Sequence, residues 1–186
     1  LVGTCLAPEF INPPICEPRS HIRKVLFVGR LAAEKNLHHF LELVEQRRDL
    51  EFTIAGDGPL RDSVQKQALA NGNLTFLGWC SRATVQQQLD AHDLLILPSA
   101  IEAFGTVALE AMARKRLVLT TPACGINEWK SLSKGIITLN QNETLAQAMN
   151  RIDTFTVAQR KYICQQSYHG ARALHDEALD QWLSVL

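Results

Sequence analysis

Two cations and two carboxylates are spaced as a ligand site would need them. Arg30 and Lys35 lie in Gly29-Arg30-Leu31-Ala32-Ala33-Glu34-Lys35-Asn36, directly after a β-rich run, and Glu102 and Glu110 stand eight apart after another. Arginine grips phosphate oxygens through two parallel hydrogen bonds and lysine adds a point charge, so the ligand implied is a diphosphate. An ionised carboxylate is a pure acceptor that takes two hydroxyl donors, which suits Glu110 to a ribose diol. Its place in VALEAMA, among small apolar residues, makes it costly without such a partner. Glu102 precedes the helix, in position to face a sugar. Phe104, Gly105 and Thr106 open that helix and turn its free N–H groups and positive dipole end toward an anion, with Gly105 admitting close approach to the backbone.

Each residue also has a plainer role. Arg30 could make a surface ion pair, Lys35 could begin a solvated helix face, and Glu110 could be an ordinary exposed helix position. Ser99-Ala100-Ile101-Glu102 matches the S-x-x-E start signal of a helix. Asp57, in Gly56-Asp57-Gly58-Pro59, reads as the cap of the next helix. The chain has neither G-x-G-x-x-G nor G-x-x-x-x-G-K-[ST], so a dehydrogenase fingerprint and a P-loop are unsupported. His38 and His39 read as a solvated face and His92 as structural. Cys124 borders the expected cleft, with nothing nearby to activate its thiol. No D-x-D pair is present for a metal-held diphosphate, so Arg30, Lys35 and the helix dipole are expected to neutralise it without a metal.

Positioning these residues falls to a repeated unit. Six short apolar runs, at 24–29, 51–56, 74–78, 94–98, 116–121 and 135–139, alternate with segments of helical period. Leu37, Phe40, Leu41 and Val44 mark the first helix, Val64, Ala68 and Leu69 the second, Val85 and Leu89 the third, and Val107, Ala111 and Met112 the fourth. Strands apolar on both faces, alternating with helices, predict an α/β fold: a doubly wound, Rossmann-like parallel sheet of about six strands with helices on both faces. With strand order 3-2-1-4-5-6, the ligand crevice lies between strands 1 and 4, where the Arg30 and Glu102 segments converge. Beyond it, Leu145, Ala148, Met149 and Ile152 predict one helix, and two more are expected up to Leu186. Pro8, Pro13, Pro14 and Pro18 predict an extended approach segment or linker over 1–23, ahead of one domain over 24–186.

The whole composition agrees with a single globular domain. Of 186 residues, 46% are hydrophobic and 20% charged, which excludes a wholly disordered chain. Nineteen basic residues balance nineteen acidic ones, which argues against nucleic acid as the main partner. The five scattered cysteines form no C-x-x-C pair, which indicates neither a disulfide framework nor a zinc site and points to a reducing, cytoplasmic setting. No apolar stretch approaches the roughly 18 residues of a membrane span. The chain starts at Leu1, which suggests a piece of a longer protein.

FVGRLAAEKN, IAGDGPL, LTFLGW, HDLLILPS and EAFGTVALEAMA, in that order and spacing, resemble the C-terminal, donor-binding domain of retaining family-four glycosyltransferases of the two-domain B-type (GT-B) fold. The resemblance spans about residues 24 to 140, and the two glutamates inside E-x-F-G…E-A-M-A are its most specific element. It implies that Gly29, Arg30 and Lys35 bind the donor diphosphate and that Glu110 holds the ribose. Glu102, beside Ser99, would contact the donor sugar; backbone amides of Phe104, Gly105 and Thr106 would bind sugar or phosphate; and Leu77, Gly78 and Trp79 would lie beside the base. Chemistry would rest on Arg30 and Lys35 stabilising the departing diphosphate, with Glu102 on the reactive side but not assigned as a nucleophile. The implied substrate is a UDP- or GDP-sugar, with no further cofactor. A carbohydrate or lipid-linked acceptor, a setting in polysaccharide or lipopolysaccharide assembly, and contact with the inner face of the membrane would come through the family's N-terminal domain, without which this half is expected to be inactive. Two places depart from the family: Arg114-Lys115-Arg116-Leu117 replaces its usual glycine and proline turn, and Cys124-Gly125-Ile126-Asn127-Glu128 matches only part of its loop after strand 5. The alternatives are a sugar-nucleotide epimerase or phosphorylase on the same fold, and a non-catalytic module that binds a nucleotide sugar or a partner protein.

Overall fold

Leu94, Leu95, Ile96 and Leu97 are all buried, as a strand covered on both faces requires. The computed structural model describes residues 5–11 and 20–184 and arranges this strand with five others in one parallel sheet. They are β1 (Lys24–Val28), β2 (Glu51–Ala55), β3 (Leu74–Gly78), β4 (Leu94–Leu97), β5 (Leu117–Thr120) and β6 (Ile137–Thr138). Among the described residues the α-helices are α1 (Pro8–Ile11), α2 (Leu37–Gln46), α3 (Arg61–Ala70), α4 (Arg82–Ala91), α5 (Thr106–Ala113), α6 (Leu145–Asp153) and α7 (Val157–Leu183). Strand order is β3-β2-β1-β4-β5-β6, so sequence order reverses between β1 and β4, as the alternation predicts. There Val25 stands opposite Leu94 and Leu26 opposite Leu95.

Because successive strand residues point to opposite faces, each strand feeds two cores. Val25, Phe27, Leu94, Ile96, Leu117 and Leu119 face α2 and α6, where Phe27 meets Phe40 at 5.9 Å and Phe40 meets Phe52 edge-on at 5.6 Å. Leu26, Leu95, Leu97 and Val118 face the other way, against α1, α4, α5 and Leu174 of α7. A polar pin ties β2 to the end of α4: buried His92 bonds Thr53 Oγ1 through Nε2 at 2.8 Å and Gln88 O through Nδ1 at 2.7 Å. Its role is structural, as expected, and burial lowers its pKa.

Three local expectations change. The two terminal helices are one, α7, of 27 residues. A capping box starts it, with Thr156 Oγ1 accepting from Gln159 N at 3.2 Å and Gln159 Oε1 from Thr156 N at 2.8 Å. Its buried stripe includes Arg160, Ser167 and His175, polar residues that interrupt the apolar period. Ser167 Oγ donates to Gly135 O at 2.7 Å, and His175 Nδ1 accepts from Leu6 N at 3.0 Å. Leu69 is 84% exposed, because α3 buries Val64 instead. Pro8 opens α1, at the helical position where a missing N–H does no harm, and Phe10 is buried against α4 and α5. Pro13, Pro14 and Pro18 lie outside the described residues.

Candidate functional site

The loops after β1, β2, β3 and β4 meet at the carboxyl end of the sheet, and backbone hydrogen bonds join them. Leu31 N donates to Asp57 O at 2.9 Å, Leu60 N to Leu31 O at 2.9 Å, Gly56 N to Gly78 O at 2.8 Å, and Ala100 N to Glu34 O at 2.8 Å. The segments carrying Arg30 and Glu102, distant in sequence, are therefore tied directly to each other.

The two cations differ in their surroundings. Arg30 is exposed and, among the described residues, its side chain makes no hydrogen bond or ion pair, so the surface ion-pair alternative is not what the structure holds. Lys35 ends a 3-10 turn, Ala33–Lys35, and places Nζ 2.5 Å from Glu102 Oε2. That contact replaces the solvated face considered for Lys35.

The Glu102 loop is fastened from below by the segment after β5. Gly125 N donates to Glu102 O at 2.9 Å and Ile126 N to Phe104 O at 3.0 Å, which makes Glu102 and Cys124 an isolated parallel bridge. A Cβ on Gly125 would collide with Ala103 O, so only glycine allows this approach. Phe104 packs edge-on against Trp129, ring centroids 5.9 Å apart. Gly105, at φ 87°, takes the left-handed conformation that turns the chain into α5, leaving exposed Thr106 in the first turn. Because α5 starts at Thr106, Ser99 and Glu102 do not cap it. Ser99 is fully buried, its O accepting from Thr121 Oγ1 at 2.6 Å, and its own Oγ has no partner among the described residues.

Glu110, in α5, is half-buried, and among the described residues no hydrogen bond or salt bridge reaches its carboxylate. Burial pushes its pKa up to about 7, opposed by Arg82 and reinforced by Glu9. A desolvated carboxylate without a partner is what a hydroxyl-bearing ligand would complete. Beside Val85 of α4, a hollow of about 310 Å³ opens between Gly29, Arg30, Gly56, Trp79 and Cys80. Gly78, at φ 67°, turns the chain there, and Trp79 is 73% exposed while Leu77 is 37% exposed. The structure thus brings Arg30 and Trp79 to one hollow and Lys35 to Glu102.

Other expectations resolve simply. Asp57 does not cap α3, whose N-cap is Leu60; its carboxylate accepts from Gly58 N at 2.8 Å and pairs with Arg61 at 2.6 Å. His38 and His39 are exposed, as expected. The Cys124 thiol is buried and pushed up to about 11, chiefly by that burial, so it is not a thiolate at neutral pH. Sequence reasoning missed the Lys35–Glu102 contact and the influence of Arg82 and Glu9 on Glu110, none of which leaves a local spacing signal.

Residues 17–155 match the family model of glycosyl transferases group 1. The alpha-D-kanosaminyltransferase of Streptomyces kanamyceticus is 36% identical over 111 residues, 56% of this chain and 29% of that protein. Among solved structures, TarM of S. aureus superposes with a TM-score of 0.75 at 17% identity, over 94% of this chain and 36% of that one. Anabaena Alr3699/HepE, solved in complex with UDP and glucose, superposes with a TM-score of 0.70 at 23% identity, over 89% of this chain and 49% of that one. The chain spans less than a third of the curated relative's length and no more than half of either structure.

Proposed function

The chain belongs to the group 1 glycosyl transferases, and from that membership we propose that it is the donor-binding half of a retaining enzyme of family four, which moves a sugar from a nucleoside diphosphate to an acceptor. The observation that carries this reading is that Arg30, whose side chain is free, and the Lys35–Glu102 contact stand on two mutually bonded loops where strand order reverses between β1 and β4, with partnerless Glu110 on the helix that follows the second loop.

In this reading the base rests near Leu77, Gly78 and Trp79, and the ribose hydroxyls donate to Glu110. The diphosphate lies between Gly29, Arg30, Lys35 and the N-terminus of α5, whose dipole and free N–H groups favour an anion. Glu102 accepts from sugar hydroxyls, with Ser99 Oγ and the amides around Phe104, Gly105 and Thr106 nearby. As the glycosidic bond breaks, negative charge grows on the departing diphosphate, and Arg30 and Lys35 stabilise it without a metal. No side chain here is assigned as a nucleophile. Binding of UDP and glucose by HepE supports a uridine nucleotide as the first candidate donor. The acceptor side belongs to the larger enzyme, so this chain alone binds donor without transferring sugar.

Thermal shift with UDP, GDP, ADP and their sugar conjugates, beside Arg30→Ala, tests the reading. A nucleotide at a hundred times its dissociation constant adds about 2.7 kcal/mol of stability. A shift for one base that the variant loses supports the donor site; no shift with any nucleotide, from folded protein, rejects it for this chain.

A further inference from the structure

Lys35 and Glu102 are 67 residues apart in sequence, yet their charged atoms stand 2.5 Å apart. Both side chains are largely covered, 17% and 20% exposed. Their backbones are held as well, through Ala100 N to Glu34 O at 2.8 Å and Gly125 N to Glu102 O at 2.9 Å. The contact is therefore built into two mutually bonded loops, unlike a surface pair between two mobile side chains. It also leaves the site lopsided, because Arg30 makes no ion pair among the described residues while Lys35 is neutralised before any ligand arrives.

An arriving diphosphate gains Lys35 only by drawing it away from Glu102. The carboxylate is then left beside two phosphates, and it is a pure acceptor with no donor of its own. A bare nucleoside diphosphate has nothing to offer it. A sugar attached to the diphosphate brings hydroxyl donors to the place the ammonium has left. We propose that the Lys35–Glu102 pair is a selector, which holds back binding of the bare nucleoside diphosphate and releases that hold for the sugar-bearing one. Discrimination then comes from a penalty against the wrong ligand as well as from contacts to the right one. The spent diphosphate is correspondingly easier to expel than the donor. This inference rests on the donor-site reading above.

Titration calorimetry of this chain with UDP and UDP-glucose, and with GDP and GDP-mannose, tests it on the wild type, Glu102→Gln, Lys35→Met and the double variant. Glu102→Gln should bind the bare diphosphate about fivefold more tightly, the worth of one partly covered ion pair, and the sugar nucleotide less tightly. In the Lys35→Met background, removing the carboxylate should give no gain for the diphosphate. Glu102→Ala, checked by thermal melting, repeats the test if the amide disturbs the loop. An unchanged or weakened diphosphate affinity in Glu102→Gln overturns the selector, and so does an equal gain without Lys35, which would be charge removal at a distance. If the wild type binds a sugar nucleotide, such a failure touches the selector alone; if it binds neither sugar nucleotide nor diphosphate, the donor reading has failed and the selector with it.

Discussion

At the scale of single residues, Glu110 gives the sharpest consequence. Burial holds its pKa at about 7, above the ordinary glutamate value of 4.5, so between those values the folded state holds a proton that the unfolded state has lost. Stability from this group is full below pH 4.5 and is lost as pH rises toward 7. The melting temperature of Glu110→Gln minus that of the wild type should therefore grow from pH 5 to pH 8; a constant difference would show that the carboxylate is not desolvated. If ribose hydroxyls donate to it, nucleotide binding favours the ionised form and should strengthen over the same range, a slope the glutamine variant loses. Arg30→Ala should weaken nucleoside diphosphates by about 3 kcal/mol at most, roughly a hundredfold, and leave the bare nucleoside unchanged; equal losses for both ligands would remove the phosphate role. Arg30 and Glu110 stand out in the sequence as candidates because their types and neighbours are unusual wherever they fold. The Lys35–Glu102 contact leaves no such signal, since two residues 67 apart meet only because β1 and β4 pair side by side. Asp57 was misread because α3 begins only at Arg61, beyond the turn that uses its carboxylate.

Among elements, the loop after β4 has no regular structure of its own and depends on the segment after β5. Gly125→Ala drives a methyl into Ala103 O, so the loop must shift. Overpacking of this kind costs about 1–3 kcal/mol. The variant should melt several degrees lower and lose affinity for the sugar nucleotide more than for the diphosphate. An unaltered melt would mean that the loop yields freely. The central strands were readable because burial on both faces leaves nearly continuous apolar runs. The last helix was not, because Arg160, Ser167 and His175 in its buried stripe serve the Ser20, Gly135 and Leu6 backbones, and polar residues in an apolar face look like a break between helices. Leu69 misled for the opposite reason: an apolar side chain near a helix end need not face the core.

For the molecule as a whole, strand order followed from the α/β alternation, and with it the end of the sheet at which doubly wound folds bind ligands. What alternation could not foretell is that the chain spans only part of its relatives' length. Relatives about twice as long make the expected behaviour specific: nucleotide binding, but no sugar released or transferred in a donor-turnover assay. Turnover by this chain would show that the acceptor side is dispensable for the chemical step. The backbone bonds among Leu31, Asp57, Gly56, Gly78, Glu34, Ala100, Glu102 and Gly125 hold the loops with little help from outward side chains. Trp79 and Ile101, each 73% exposed, stand on that framework without shaping it. Such a division gives the scaffold a capacity for evolutionary change: substitutions at those positions can revise which base or sugar is welcomed while the architecture beneath is inherited intact.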